Sequence, residues 1–269
     1  MLSSLQQYTI VDNNRQSQLQ LFERTNPLYL RNAEHFRENA PSIKTIDDLL
    51  NDYQSLQVVL SGFQLEDEIN KRAFLKQIMT ESPNDPESLA NRLVDPRYRE
   101  LATAMQPLAQ GADPFASQEF ADAILARFQT NEFEKSQGQQ NPAVREALYF
   151  ERNIGSINTV TELMGDRTLL KVARATLGLP ESFQALDFDQ QRDRLERSIN
   201  IDDFKDEKKL DKFVERFLVL NDLNNPQGPT DPTLQLFGAG GAGGSANGIL
   251  NAAFGGGAGG GNSILNLVV

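Results

Sequence analysis

The sequence predicts an all-α protein: an internally duplicated helical core followed by a flexible Gly-rich C-terminal tail. Three observations carry that expectation. The stretch IKTIDDLLNDYQSLQVVLSGFQL at 43–65 is written again at 157–179 as INTVTELMGDRTLLKVARATLGL. Ile43, Thr45, Leu49, Asp52, Leu56, Val58 and Leu65 each meet the same residue type at an offset of 114 (43 to 157). Polar helix-start residues recur with the apolar ones, which shared amphipathicity alone would not require. Almost no window alternates with the period of a half-buried strand, the best being LQQYTIV near the start and ILNLVV at the end. After Asn225 the composition changes abruptly: residues 226–269 hold one charged side chain, Asp231, and most of the chain's 19 glycines.

The similarity extends into the flanks. NPLYLRNAEHFRENAPS at 26–42 answers NPAVREALYFERNIGS at 141–156 with one residue of slippage, and DPESL at 85–89 pairs with DEKKL at 206–210. The expected organisation is a lead-in over 1–25, a first helical repeat over 26–94 and middle helices with a hinge over 95–140. A second helical repeat over 141–222 and a low-complexity tail over 223–269 follow.

Residues 1–25 read as a short extended segment and then a helix starting after Asp12. Asn26-Pro27 and Asn141-Pro142 each offer an amide N-cap and a proline at the first helical position, where its missing N–H has no intrahelical partner to lose. These helices are expected to end near Asn39 and Asn153. Thr45 with Asp48, and Thr159 with Glu162, read as capping boxes, Asp48 being the less usual partner. Asp52 and Asp166 are placed to cap the next helices. Leu56, Val59, Leu60 and Phe63 fall at helical spacing, as do Leu169, Leu170, Ala173 and Leu177. Gly62 and Gly178 interrupt the two patterns at different positions, so the helix ends are expected to differ.

Further helices are expected around Phe74–Met79 and Leu89–Leu93, then from Asp95-Pro96, then over 117–134 on the face of Phe120, Ile124, Leu125 and Phe128. SPNDP at 82–86 separates two helices, and SQGQQ at 136–140 reads as the hinge between the halves. Leu195, Ile199, Leu210, Phe213, Val214 and Phe217 supply the apolar faces of the second half.

At 269 residues, with 39% apolar and 23% charged residues, the chain has enough material for a substantial core. The net charge of −11 opposes nonspecific binding to nucleic-acid phosphate or an anionic bilayer. No run has the apolar length for a membrane span, and the first residues lack a basic segment followed by an apolar one, so the general secretory route is not expected. Cysteine is absent and His35 is the only histidine, which excludes disulfides, thiol chemistry and Cys or His-cluster metal sites.

The polar groupings read as structural. Arg97, Tyr98, Arg99 and Glu100 form the densest polar and aromatic cluster, either a binding site or the surface of a packed helix. His35, beside Glu34 and Phe36, reads as an ordinary surface or interface residue, since its related half carries Leu148 or Tyr149. The pairs Asp47-Asp48, Asp202-Asp203 and Asp206-Glu207 sit at helix starts, where they favour free N–H groups and the positive end of the dipole. No phosphate loop, dinucleotide fingerprint, nucleophile elbow, zincin motif or calcium loop is present. No catalytic, cofactor-binding or metal residue is therefore assigned, and no cofactor is expected.

In the tail, GAGGAGG and GGGAGGG oppose regular packing through backbone entropy. Three apolar islands interrupt them, with Leu234, Leu236 and Phe237, then Ile249, Leu250 and Phe254, then Ile264, Leu265, Leu267 and Val268. The tail is either a flexible extension or a set of tethered segments that dock on a neighbouring chain, the last by adding a strand.

Three phrases, LANRLVDPRYRELATAM at 89–105, NPAVREALYFERNIGSINTVTELMGDRTLLKVARATLGLP at 141–180 and KKLDKFVERF at 208–217, resemble an alphaproteobacterial helical family. It is known as domain of unknown function 1217 and is often encoded among flagellar genes. The resemblance covers most of 26–222 and brings no catalytic residues with it. It implies a non-enzymatic structural or assembly protein of the bacterial flagellum, exported without a cleavable signal, whose partner is a flagellar protein or copies of itself. A cytoplasmic binding or export-helper protein is the alternative. A carboxylate-dependent enzyme would need acidic residues brought together from distant positions.

Overall fold

A computed structural model describes residues 2–224, and every regular element among them is helical. The chain divides into two compact units: Asn14–Ser136 forms one, and residues 2–13 with 137–224 form the other. The tail residues from Leu234 to Val268, assigned above to docking, lie outside the described residues, as does ILNLVV.

In the unit over Asn14–Ser136 the helices are α2 (Arg15–Thr25), α3 (Pro27–Asn39), α4 (Ile46–Asn51), α5 (Tyr53–Gly62), α6 (Arg72–Thr80), α7 (Leu89–Arg92), α8 (Pro96–Ala109) and most of α9 (Gln118–Gln140). Helix α3 packs on α5, and α6 packs on α4 and α8. Aromatic rings tie the ends of this unit together. Tyr29 stacks on Phe128 at 5.3 Å, Phe22 meets Tyr29 at a tilt and Phe133 edge-on, and Phe36 packs edge-on against Phe115. Offset-stacked and edge-to-face arrangements suit the ring quadrupoles, adding about 0.5–1.5 kcal/mol per pair to the area they bury.

The other unit contains α1 (Ser4–Asn13), α10 (Pro142–Ile154), α11 (Val160–Gly165), α12 (Arg167–Thr176), α13 (Phe188–Glu196) and α14 (Glu207–Asn224). Helices α10, α12 and α14 pack on one another, and α1 lies on α10 and α14. Phe150, Phe204 and Phe213 form its central aromatic cluster, with centroids 4.9–5.5 Å apart.

The two stretches noted in the sequence have the same local structure. Helices α4 and α11 are both six residues long and α5 and α12 both ten, each displaced by 114 (46 to 160, 53 to 167). Ala33 and Ala147, Phe36 and Phe150, Leu49 and Leu163, and Val58 and Val172 are fully buried at matching positions. Asn26 Oδ1 accepts the Tyr29 N–H and Asn141 Oδ1 accepts the Ala143 N–H, so α3 and α10 start as the Asn-Pro pairs predict.

Three expectations are corrected. The lead-in is helix α1, not an extended segment, and the strand-like LQQYTIV lies within it. Ser3 and Gln6 exchange side-chain-to-backbone bonds of 3.1 and 3.2 Å, and burial of Ser4, Tyr8 and Val11 on one face outweighs the local β preference of Thr9, Ile10 and Val11. Residues 136–140, expected as the hinge, are the last turn of α9, and the division between the two units falls among them, between Ser136 and Gln137. Gly138 leaves room there for Arg145, since a Cβ would lie 2.7 Å from Arg145 Cδ and 3.0 Å from its Cβ.

The helix ends after α5 and α12, expected to differ, are alike. Gln64 (φ 58°) and Gly178 (φ 63°) are the left-handed residues of matching turns. In each turn the N–H after that residue returns to a carbonyl five positions back, Leu65 to Leu60 and Leu179 to Arg174. Gly62 is small for another reason: a Cβ there would sit 3.3 Å from Arg127 Cβ and 3.4 Å from the Ile124 carbonyl of α9. Last, the DPESL and DEKKL segments differ, the first being turns before α7 and the second the start of α14.

Candidate functional site

The acidic pairs are engaged at helix starts and in local ion pairs. Asp48 Oδ2 accepts from the backbone N–H of Thr45 (2.9 Å) and Lys44 (3.1 Å), while Thr45 Oγ1 accepts from the Asp48 N–H, so the shorter Asp closes a full capping box. Its bonds with Thr45 and Lys44 hold the Asp48 carboxyl below the usual carboxylate range. Asp47 pairs with Lys76 at 2.7 Å, Asp202 with Lys205 at 2.6 Å and Asp203 with Lys209 at 2.7 Å. Asp206 accepts the Lys209 N–H at the start of α14. Among the described residues no group of three or more His, Cys, Asp or Glu side chains is arranged to hold a metal ion.

The Arg97–Glu100 run does not converge on one point. Arg97 binds Asp95, the N-cap of α8, and donates to the Gln64 carbonyl at 2.8 Å. Tyr98 meets Phe74 edge-on at 5.4 Å, and Glu100 pairs with Arg127. Successive helical residues point in directions about 100° apart, so a dense cluster in sequence is spread around α8.

His35 is not an ordinary surface residue. Its Nε2 lies 2.9 and 3.0 Å from the two oxygens of Asp52, and Asp52 caps α5 through the Ser55 N–H and accepts the Ser55 hydroxyl at 2.6 Å. Burial alone would raise the Asp52 carboxyl, but the bonds from Ser55 and His35 outweigh it and hold the group below its ordinary value. The other unit builds the same arrangement with a different donor. Tyr149, displaced by 114 from His35 (35 to 149), donates its hydroxyl to Asp166 Oδ2 at 2.5 Å, and Asp166 Oδ1 caps α12 at the Thr168 and Leu169 N–H groups. Asn39 and Asn153 donate to the carbonyls of His35 and Tyr149 at 2.9 and 2.8 Å. In each unit a side chain of α3 or α10 thus locks the N-cap of the second α-helix after it, α5 or α12.

Two polar assemblies went unread in the sequence. In the unit over Asn14–Ser136, Lys135 bridges Glu66 and Glu132 at 2.7 Å each, Ser61 donates to Glu132 and buried Asn131 donates to Ser61. Burial disfavours the Lys135 ammonium, yet the two carboxylates outweigh that and hold it above its ordinary value. The second assembly anchors α1. The Ser4 N–H donates to Asp222 Oδ2 at 2.8 Å, its hydroxyl bonds the other Asp222 oxygen, and Asn141 Nδ2 donates to Ser4 Oγ at 2.9 Å. Four residues on, Tyr8 donates to Glu151 at 3.1 Å. A single turn-spaced row on α1 thereby reads side chains of both α10 and α14, a receiving face for one amphipathic helix. Sequence periodicity could have marked Ser4, Tyr8 and Val11 as one face, but not their partners.

Residues 62–210 match the model of a family described as protein of unknown function (DUF1217). A crystal structure of a protein from Agrobacterium tumefaciens is similar to this chain, with 31% sequence identity and a TM-score of 0.75, over 84% of this chain and 98% of that one. No curated protein gave a significant match. No helix among the described residues is long and apolar enough to cross a membrane.

Proposed function

We propose that this chain, which belongs to the DUF1217 family of proteins of unknown function, acts by holding other proteins rather than by catalysis, as a structural or assembly component of the bacterial flagellum. The observation that carries the non-catalytic part is the use of its polar groups. The acidic pairs serve as caps and ion-pair partners, and the half-buried His35 and buried Tyr149 serve to lock capping aspartates. The flagellar part rests on the family resemblance, whose members are often encoded among flagellar genes.

The matched helix lengths, caps and chain reversals support a second element of this reading, that segments 26–94 and 141–222 descend from one duplicated unit. The partner is a flagellar protein or a further copy of the chain, reached in part through the apolar islands at Leu234–Phe237, 249–254 and 264–268. Deleting the residues from Gly238 onward would leave the helical signal in circular dichroism intact and weaken association measured by sedimentation. Unchanged association would remove the docking role of the tail.

Locating the native protein in purified flagella and in cytosol tests the assignment. Recovery with the flagellum is the expected result. Exclusive cytosolic location throughout assembly would overturn the structural role and leave a cytoplasmic export-helper as the function.

A further inference from the structure

We propose that the α10–α14 face is a helix-receiving site and that a second copy of this chain fills it with its own α1, linking copies through exchange of the N-terminal helix. The inference deepens the assembly reading above, on which its biological use rests, by naming a surface and its occupant.

Three observations carry it. First, α1 belongs to one unit while the next helix, α2, belongs to the other, so the chain enters the receiving unit with α1, leaves it, and returns only at Gln137. Second, α1 is portable. Its Ser3–Gln6 capping pair is carried within the segment, and the one further bond at its start, from the Ser4 N–H to Asp222, is supplied by the receiving face itself. At ten residues it is nevertheless shorter than the roughly 12–15 residues at which isolated helices become even marginally stable in water, so it depends on a receiving face to stay folded. Third, the face is specific. Ser4 engages Asp222 and Asn141, Tyr8 engages Glu151, and Val11 is buried, which fixes both the register and the direction of the inserted helix.

A helix from another copy meets the same side chains at the same distances. Exchange therefore conserves the interface, and the balance is set by chain connectivity and local concentration, which is why terminal-element exchange is a low-cost route to assembly. The connection between α1 and α2 is one residue, Asn14. Short hinge connections favour exchange when they are strained, so the length of this connection is the variable that sets the balance between α1 on its own chain's face and α1 on a neighbour's. Because each copy both gives and receives a helix, exchange either closes a dimer or continues from copy to copy.

The absence of cysteine makes a direct test available. Gln7 of α1 and Gln140 touch through exposed side chains at 3.4 Å and lie outside the buried anchors. Full-length chains carrying Gln7→Cys alone and Gln140→Cys alone would be mixed, equilibrated over a range of concentrations and treated with a short thiol-to-thiol cross-linker. The chain carrying both substitutions reports docking within one copy or between copies. The expected result is a mixed dimer joined between positions 7 and 140, identified by peptide mass. Its yield should rise with concentration and fall severalfold when flexible Gly-Ser residues lengthen the connection after Asn14. Efficient internal cross-linking of the double variant with no mixed dimer from the single ones, up to millimolar protein, would overturn exchange. Failure of the double variant to cross-link would overturn the receiving site itself. Neither outcome bears on where the protein is found in the cell, so the flagellar assignment stands or falls separately.

Discussion

Replacing Tyr149 with phenylalanine removes one oxygen atom and should cost the protein about 1.5–3 kcal/mol, the range for a hydrogen bond to a charged group. Tyr149 is 5% exposed and Asp166 2%, so water has little access to stand in for the lost hydroxyl at Asp166 Oδ2. The ring itself stays, including its place under Arg152, whose guanidinium carbon lies 5.8 Å from the ring centre. The cost therefore reports the hydrogen bond and not a cavity. The equivalent lock in the other unit sets the scale. His35 and Asp52 have side chains 28% and 24% exposed, so water can solvate Asp52 when His35 is replaced by alanine, and the loss there should stay under about 1 kcal/mol. Urea unfolding followed by circular dichroism, fitted to separate transitions if the two units do not unfold together, would measure both. A double-mutant cycle with Asp166→Asn sharpens the test. The carboxamide introduced by that change can still accept the Thr168 and Leu169 N–H groups but carries no charge to strand, so the two substitutions together should cost at least about 1 kcal/mol less than their sum. A Tyr149→Phe loss no larger than that of His35→Ala, or strict additivity in the cycle, would refute the buried-lock argument.

Three further outcomes follow from the local geometry. Thr45→Ala and Thr159→Ala, which remove the hydroxyls accepting the Asp48 and Glu162 N–H groups at 3.1 Å, should each lower stability by about 1 kcal/mol in denaturant titration, and two unaffected variants would mean the caps contribute nothing. The matched turns predict opposite signs for exchange of their left-handed residues: Gly178→Gln should destabilise by about 1 kcal/mol, whereas Gln64→Gly should be neutral or mildly stabilising, and a loss from both would show that side-chain contacts rather than backbone conformation decide these positions. Since Asp52 is held below its ordinary value, its stabilisation is complete above the unfolded carboxyl pKa of about 3.9 and is lost as the pH falls through the lower folded value. Asp52→Asn should thus lower stability at pH 7 and flatten the acid limb below about pH 5, and parallel pH profiles for variant and parent would contradict this assignment.

The helical class and most helix starts were legible in the sequence because the interactions that make them span two to four residues. Asn26 and Asn141 before proline, Thr45 with Asp48, Asp95 with Pro96, and Asp52 and Asp166 before the next helices all act on N–H groups within their own first turn. Their spacing in sequence is their geometry. The matched pattern at an offset of 114 likewise foretold two stretches with equal helices, since each apolar face repeats with its caps. The misread positions are those where a residue's role depends on what lies across from it. Gly62 looked like a helix breaker, yet it is a helical residue kept small by the approach of α9, while the left-handed turn falls on Gln64. His35 looked ordinary until α5 brought Asp52 to its ring. The segment from Ser4 to Asn13 carries locally strand-favouring residues and became helix α1 because Ser4, Tyr8 and Val11 are buried on α10 and α14, with Ser4 bonded to a carboxylate 218 positions away. A local hydrogen bond is determined by the order of residues along the chain, whereas burial and long-range pairing exist only after folding has chosen which distant surfaces meet.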